Sequence, residues 1–323
     1  MRAMILAAGL GMRMRPLSEL CAKPALPVRG RPVISLLLEL LARNGFHEVM
    51  INLHHRASTI RTAVANDRPE GLEIHWSDEP APLGTGGGIR RAAGFLRGEA
   101  ECVVMAGDML LDVPLAELLD RHRASGRGTT LLLREDPRAD DFGTIGIDDA
   151  GGIVRVGETR ADGAREAARG LFLGVRLFSR DALADWPLHA GREREVFEDL
   201  RDWLLPGIGP GPRSVGAELL DATTSVWEPV GTPPEYLRAN LEPPRLPTLG
   251  GAAEAWQGEV DLLGERRDVV ASRKAIVPDD ARLSRCVVWS GERVAPGLDA
   301  HDGVHAEGAF WSCLEGPVEE GPR

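Results

Sequence analysis

The first twenty-three residues hold the densest set of groups able to handle phosphate. Leu6-Ala7-Ala8-Gly9-Leu10-Gly11-Met12-Arg13-Met14-Arg15-Pro16-Leu17-Ser18 is followed by Lys23-Pro24. Met4–Ala8 reads as a short buried strand, so the glycines sit where a chain leaves a sheet. Glycine admits positive φ and close approach, which brings backbone N–H groups against phosphate oxygens. Arg13 adds a planar fork and Lys23 a point charge. A dinucleotide-binding fingerprint needs a third glycine at position 14, which is Met14, and a helix opening at once, where this chain has Pro16 and Lys23-Pro24. No G-K-[ST] closes the loop as in a Walker A motif.

A second glycine run, Leu83-Gly84-Thr85-Gly86-Gly87-Gly88-Ile89, precedes a helical pattern over Ile89–Leu96. Met105-Ala106-Gly107-Asp108 ends an apolar strand over Cys102–Ala106 in a carboxylate. His54-His55 has no carboxylate or cysteine at ligand spacing and reads as structural.

The elements that must position these groups alternate. A helix is expected over Pro32–Asn44, with Ile34, Leu37, Leu38 and Leu41 on one face and Gly45 as the stop. Strands are expected at Glu48–Leu53, Leu72–Ser77 and Gly128–Arg134, and helices at Arg56–Ala65, Pro114–Ala124, Arg192–Leu204 and Pro234–Leu241. Such alternation predicts an α/β, Rossmann-like domain with a mixed, mostly parallel sheet and helices on both faces. Ligands bind such sheets at the carboxyl ends of the strands. From Phe142 to Phe178 the pattern turns β-rich, with strands at Thr144–Ile147, Ile153–Val156 and Leu171–Phe178 and a hairpin turn at Asp148–Gly152. The expected organisation is a domain over 1–241, a Pro/Gly-rich linker over 242–251 and a tail over 252–323. In the tail, apolar residues recur about six apart (Val277 and Leu283, Val288 and Val294), which predicts a short left-handed parallel β-helix of hexapeptide type. The run Glu315–Arg323 reads as a frayed end.

Together these strings resemble the sugar-1-phosphate nucleotidyltransferases, of both the mannose-1-phosphate guanylyltransferase and the N-acetylmuramate-1-phosphate uridylyltransferase types. The loop is similar to their G-x-G-T-R-x-x-P-L-T…P-K-P signature, with Met12 in place of Thr and Ala22 in place of Pro. Trp227-Glu228-Pro229-Val230-Gly231-Thr232-Pro233, then Tyr236-Leu237-Arg238-Ala239-Asn240, is similar to the stretch that ends their catalytic domain. The resemblance implies that an NTP and a sugar 1-phosphate are the partners and Mg²⁺ the cofactor. It places Ala8, Gly9, Gly11, Met12 and Arg13 on the triphosphate, Lys23 toward the α-phosphate, and Gly84, Thr85 and Gly86 on the base. Asp108 would hold the metal, and Gly143, Glu158 and Gly174 would line the sugar pocket. Arg13, Lys23 and Asp108 are the expected catalytic residues.

Two positions depart from the pattern. Pro229 stands where a second metal-binding Asp is usual; Glu228 is the candidate substitute, although it faces the other way along a strand. Thr159 stands where a lysine that contacts the sugar phosphate is usual, and Arg160 beside it is the candidate replacement. These departures keep a non-catalytic nucleotide-sugar binding or regulatory protein as an alternative, and transfer to a non-sugar phosphate such as phosphocholine as a third.

Composition sets the remaining bounds. The 323 residues, 43% hydrophobic and 27% charged, suit a globular enzyme of about two domains. A net charge of −11 with no basic, aromatic-interleaved patch argues against nucleic acid. No run approaches a membrane span, and four cysteines without paired spacing suit a reduced, cytoplasmic protein. The tail suggests a homo-oligomer.

Overall fold

The computed structural model describes residues 1–139, 143–184, 196–204, 215–265 and 267–314. Phe142, the opening residues of the helix expected at Arg192–Leu204, and the run Glu315–Arg323 lie outside the described residues.

The N-terminal half builds the alternating pattern. Strand β1 (Arg2–Leu6) is followed by helix α1 (Val33–Arg43), β2 (Glu48–Leu53), α2 (Ala57–Asn66), β3 (Glu73–Asp78), α3 (Gly84–Leu96) and β4 (Glu101–Ala106). Next come β5 (Met109–Asp112), α4 (Leu115–Ser125) and β6 (Thr129–Arg134). The β-rich segment supplies β7 (Ile145–Ile147), β8 (Ile153–Val156), β9 (Thr159–Arg160) and the long β10 (Ala168–Ser179). Strands β11 (Val215–Leu220) and β12 (Val226–Pro229) lead to helix α5 (Pro233–Leu241).

Ten strands form one mixed sheet. β1 lies between β4 and β2, and β3 flanks β2, all parallel. β10 then pairs antiparallel with β4 on one side and with β6 and β7 on the other, and β11 adds parallel to β6. β7 and β8 form the expected hairpin, closed by the Gly151 N–H donating to the Asp148 carbonyl at 2.9 Å.

Apolar spacing gave α1 its shape. Ile34, Leu37, Leu38 and Leu41 are fully buried, and so are Leu36 and Leu40 on the flank. Each such side chain stabilises by roughly 1.5–3 kcal/mol. The other helices and strands start and stop within a few residues of expectation, with two larger shifts. In the segment expected to be helical over Arg192–Leu204, helical turns begin at Asp199 among the described residues. α3 begins at Gly84 rather than Ile89, so the glycine run is inside the helix.

The C-terminal segment packs closely on the part of the chain before it. Residues 242–251 are packed and not a free linker: Leu246 and Leu249 are buried in the main core, and the Asp112 carboxylate accepts from the Thr248 N–H and Oγ1, both at 2.7 Å. The tail then forms a five-stranded sheet: β13 (Val260–Leu263), β14 (Val269–Ser272), β15 (Arg282–Val288), β16 (Asp299–Ala306) and β17 (Ala309–Ser312). Its two central pairings are parallel, as a six-residue recurrence demands, but both edge pairings are antiparallel.

Alternation along these strands serves two cores. Val269, Ala271, Cys286 and Val288 pack into a small cluster of their own, while Val270, Val287, Val304 and Ala306 join the main core. Helix α5 carries the junction. Tyr236, the only tyrosine in the chain, is fully buried. Its hydroxyl donates to the Pro27 carbonyl at 2.8 Å and accepts from Trp289 Nε1 at 2.9 Å. Burial pushes its pKa far above the usual phenol range, against the hydrogen bond from Trp289. One turn on, Asn240 Oδ1 accepts from the Arg29 N–H at 2.8 Å. Replacing Tyr236 with Phe removes the donor and leaves the Pro27 carbonyl and the Trp289 N–H unpaired. Loss of stability by about 1–3 kcal/mol is expected, read as a lowered urea midpoint.

Candidate functional site

The parallel register decides where the loops meet. Ile5 is level with Ile51, and Leu6 with Ala106. The residues that follow β1, the end of β2 and the turn after β4 therefore emerge together at the carboxyl edge of the sheet. Gly107 makes this close: its N–H donates to the Leu6 carbonyl at 3.0 Å, and a Cβ there would lie 2.8 Å from the same oxygen.

A cavity of about 400 Å³ opens at this edge. Of the residues singled out from sequence, Ala8, Gly9, Lys23, Gly84, Thr85, Asp108 and Gly174 line it. Gly11, Met12 and Arg13 are not on its wall, and Met12 and Arg13 are exposed. Gly11 has a packing reason of its own: at φ 69° it precedes the turn Met12–Met14, and a Cβ would meet that of Ser18 at 2.9 Å.

Lys23 Nζ lies 3.7 Å from an Asp108 carboxylate oxygen. Burial draws the Lys23 pKa down from 10.5, Asp108 and Glu235 oppose that, and Arg13 adds to it. The C-terminal motif closes on the same cations. A Cβ at Gly231 would stand 3.5 Å from Arg13 Nη2 and 3.8 Å from Lys23 Nζ. Thr232 caps α5, accepting from the Glu235 N–H, while the Glu235 carboxylate accepts from the Gly231 N–H at 2.8 Å.

The second glycine run is built for contact. A Cβ at Gly88 would press on Asn52 Nδ2 at 2.9 Å and Glu79 Oε1 at 3.1 Å. Gly86 faces the Phe197 ring, where a Cβ would overlap it at 2.1 Å. The Phe197 N–H donates to the Leu83 carbonyl at 2.9 Å, and its carbonyl accepts from the Gly87 N–H at 3.0 Å. The Thr85 N–H donates to Glu198 Oε2 at 3.3 Å, so that group is engaged within the chain rather than free for a base.

Four further residues named from the sequence sit elsewhere. Gly143 and Glu158 do not line the cavity, and β9 is exposed on the far side of the β7–β8 hairpin. Arg160 donates to Glu166 Oε2 at 3.0 Å and is not on the wall, so it does not replace the missing lysine there. Glu228 is held by Arg138 at 3.0 Å on one oxygen and by Arg238 on the other. A carboxylate so neutralised is a poor cation ligand, and Pro229 offers none. His54 and His55 hold backbone carbonyls of Glu79 and Ser18, both at 2.8 Å, in keeping with a structural role. One cluster with metal-ligand spacing occurs among the described residues, Glu48, Glu73 and His75. It lies at the first residues of β2 and β3, the opposite end of the sheet, and Glu48 is paired with Arg2.

Asn52, Glu79, Arg176 and Glu198 also line the cavity and were not singled out from sequence. Asn52 Oδ1 accepts from the Ala7 N–H at 2.7 Å, and Nδ2 donates to Glu79 Oε1 at 2.8 Å. Glu79 Oε2 accepts from the Leu83 N–H at 3.2 Å. Burial raises the Glu79 pKa, against the two hydrogen bonds. The available signal was an asparagine inside the otherwise apolar run Val49–Leu53.

A mixed α/β sheet with a glycine-rich loop, a lysine and a carboxylate around one cavity at its carboxyl edge defines a nucleotide-handling enzyme. A family model described as nucleotidyl transferase matches residues 2–173, and the chain belongs to that family. It is 31% identical over 316 residues to mannose-1-phosphate guanylyltransferase of Mycobacterium tuberculosis, covering 94% of this chain and 81% of that protein. It is 44% identical over 114 residues to N-acetylmuramate alpha-1-phosphate uridylyltransferase of Neisseria meningitidis, covering 35% of this chain and 49% of that protein. The crystal structure of HddC from Yersinia pseudotuberculosis shares the fold, with a TM-score of 0.58 at 22% identity over 74% of this chain and 97% of that one.

Replacing Asn52 with Ala strips a partner from the Ala7 N–H and from the buried Glu79 carboxylate. A stability loss of about 1–3 kcal/mol is expected, measured by chemical denaturation, with weakened nucleotide binding because both loops lose their tie.

Proposed function

We propose that this protein transfers a nucleoside monophosphate from an NTP to a sugar 1-phosphate, giving an NDP-sugar and pyrophosphate. One observation carries the reading: the Ala8–Gly9 loop, Lys23, Asp108 and the Gly84–Thr85 turn share one cavity at the carboxyl edge of the sheet. A phosphate oxygen of the acceptor attacks the α-phosphorus in line. The bond from that phosphorus to the bridging oxygen breaks, and pyrophosphate leaves with the electron pair. This chemistry asks for positioning and charge neutralisation.

The backbone of Ala8 and Gly9 meets the triphosphate. Arg13 and Lys23 are grouped beside Gly231, where Arg13 neutralises the leaving pyrophosphate and Lys23 reaches toward the α-phosphate. Gly84 and Gly174 shape the base and sugar ends of the cavity. Asp108 is the residue that would hold Mg²⁺. Its side chain is 39% exposed on the cavity wall, and one carboxylate completed by substrate phosphates is an ordinary Mg²⁺ site. A bound Mg²⁺ supplies charge screening between the two phosphate groups. The two parallel steps of the tail sheet support reading it as a short β-helical coil. The cysteines are free, which fits a reducing, cytoplasmic setting.

Pyrophosphate release measured with Mg²⁺ across four NTPs and a set of sugar 1-phosphates tests the reading. Turnover with at least one pair is expected; nucleotide binding without turnover on any pair would instead make this a binding protein. Asp108→Asn is expected to lower turnover by at least ~10²-fold, on the scale of losing one charge-stabilising group, and near-normal rates would remove Asp108 from the metal site. Because the Lys23 pKa is lowered in the free protein, its cation is lost at a lower pH than that of a free lysine. NTP affinity therefore falls as pH rises, beginning below 10.5. Titration calorimetry across that range checks the sign, and Lys23→Arg is expected to flatten the fall.

A further inference from the structure

Arg176 is 4% exposed, yet it lines the cavity. It sits on β10 opposite Val104 of β4, just past the irregularity in the β10–β6 pairing that Gly174 makes possible at φ 75°. The guanidinium lies over the Phe172 ring at 4.8 Å. Its Nε donates to the buried Asp199 carboxylate, and Nη1 donates to the Gly174 carbonyl at 3.3 Å. Its remaining N–H donors have no partner among the described residues, so they are what this side chain can offer to the cavity.

A buried arginine fixed by a buried carboxylate is costly unless the site uses it, since both ions give up water. The distribution of charge narrows the use. Among the described residues, only Lys23 and Arg176 are cations on the cavity wall. Lys23 lies beside Asp108 and is grouped with Arg13 near Gly231, on the N-terminal loop. In-line transfer requires the attacking group to approach from the side opposite the leaving group. With Arg13 and Lys23 gathered toward the triphosphate, Arg176, carried by a different strand, is the remaining positive group on the described cavity wall. Thr159 carries no charge, and Arg160 is spent on Glu166.

We propose that Arg176 binds the phosphate of the acceptor sugar 1-phosphate, held in place by Asp199. This rests on the transferase reading above. Arg176 contributes a fork of N–H donors matched to phosphate oxygens, and Asp199 orients the fork from the segment that also seats Phe197 against Gly86. Asp199 is a positioning residue.

The test is steady-state kinetics on the NTP and sugar 1-phosphate pair that the wild-type protein turns over. Arg176→Met is expected to raise the KM for every sugar 1-phosphate in the set by roughly 10- to 100-fold, the size of a lost charged hydrogen bond. NTP binding measured by calorimetry should stay within about twofold. Arg176→Lys should recover part of the loss. The double variant Arg176→Met/Asp199→Asn removes the uncompensated buried carboxylate and guards against unfolding, which circular dichroism monitors. An unchanged acceptor KM in folded variants would overturn the proposal and leave the transferase reading standing. A loss confined to some sugars would also overturn it, because the residue would then read the sugar and not its phosphate. Absence of turnover in the wild-type protein would instead strike the underlying reading.

Discussion

Asn52 ties together two loops that the chain places far apart. Its amide oxygen takes the Ala7 N–H at the end of β1, and its amide nitrogen reaches Glu79, which holds the Leu83 N–H ahead of α3. Each link is short and buried, where an unpaired polar group is expensive. The phosphate loop and the glycine-run turn thus keep a fixed separation, and the cavity between them inherits its width from one side chain. Gly88 follows from this constraint, since any larger residue would push the pair apart. The parallel register of β1, β2 and β4 is the frame on which the tie is strung.

The same frame explains which parts were legible in the sequence. Strands that end in Gly-Asp or in a glycine loop announce themselves, because only those residue types permit the close passage seen between Gly107 and Leu6. The apolar face of α1 was equally plain. Harder to see was β5 pairing with β12 across more than a hundred residues, since nothing local in Met109–Asp112 distinguishes a strand from a loop leading to α4. The start of α3 was placed late because glycine disfavours helix. Contacts with Phe197, Asn52 and Glu79 override that preference, and they come from distant parts of the chain.

The cavity's far wall was the least legible. A motif match led to Glu158 and Thr159, while the group on the wall is Arg176, two residues beyond the matched Gly174. A single arginine in an apolar strand carries no spacing signal. Its buried partner, Asp199, lies in another segment, so the pair exists only once the sheet has formed. The tail posed the opposite problem. Its six-residue recurrence marked the parallel steps, but the antiparallel edges depend on where the chain reverses.

The Tyr236 hydroxyl stands at the meeting point of three segments: the turn that follows the phosphate loop, the last helix of the N-terminal region and the tail sheet. The tail therefore cannot be exchanged for another module as a bead on a string can. A graft that kept the helix but lacked an indole at the position of Trp289 would leave the hydroxyl bonded to Pro27 but without the N–H it accepts inside the protein. The tyrosine is in that sense an address label, recording which kind of C-terminal partner the N-terminal region has been shaped to accept.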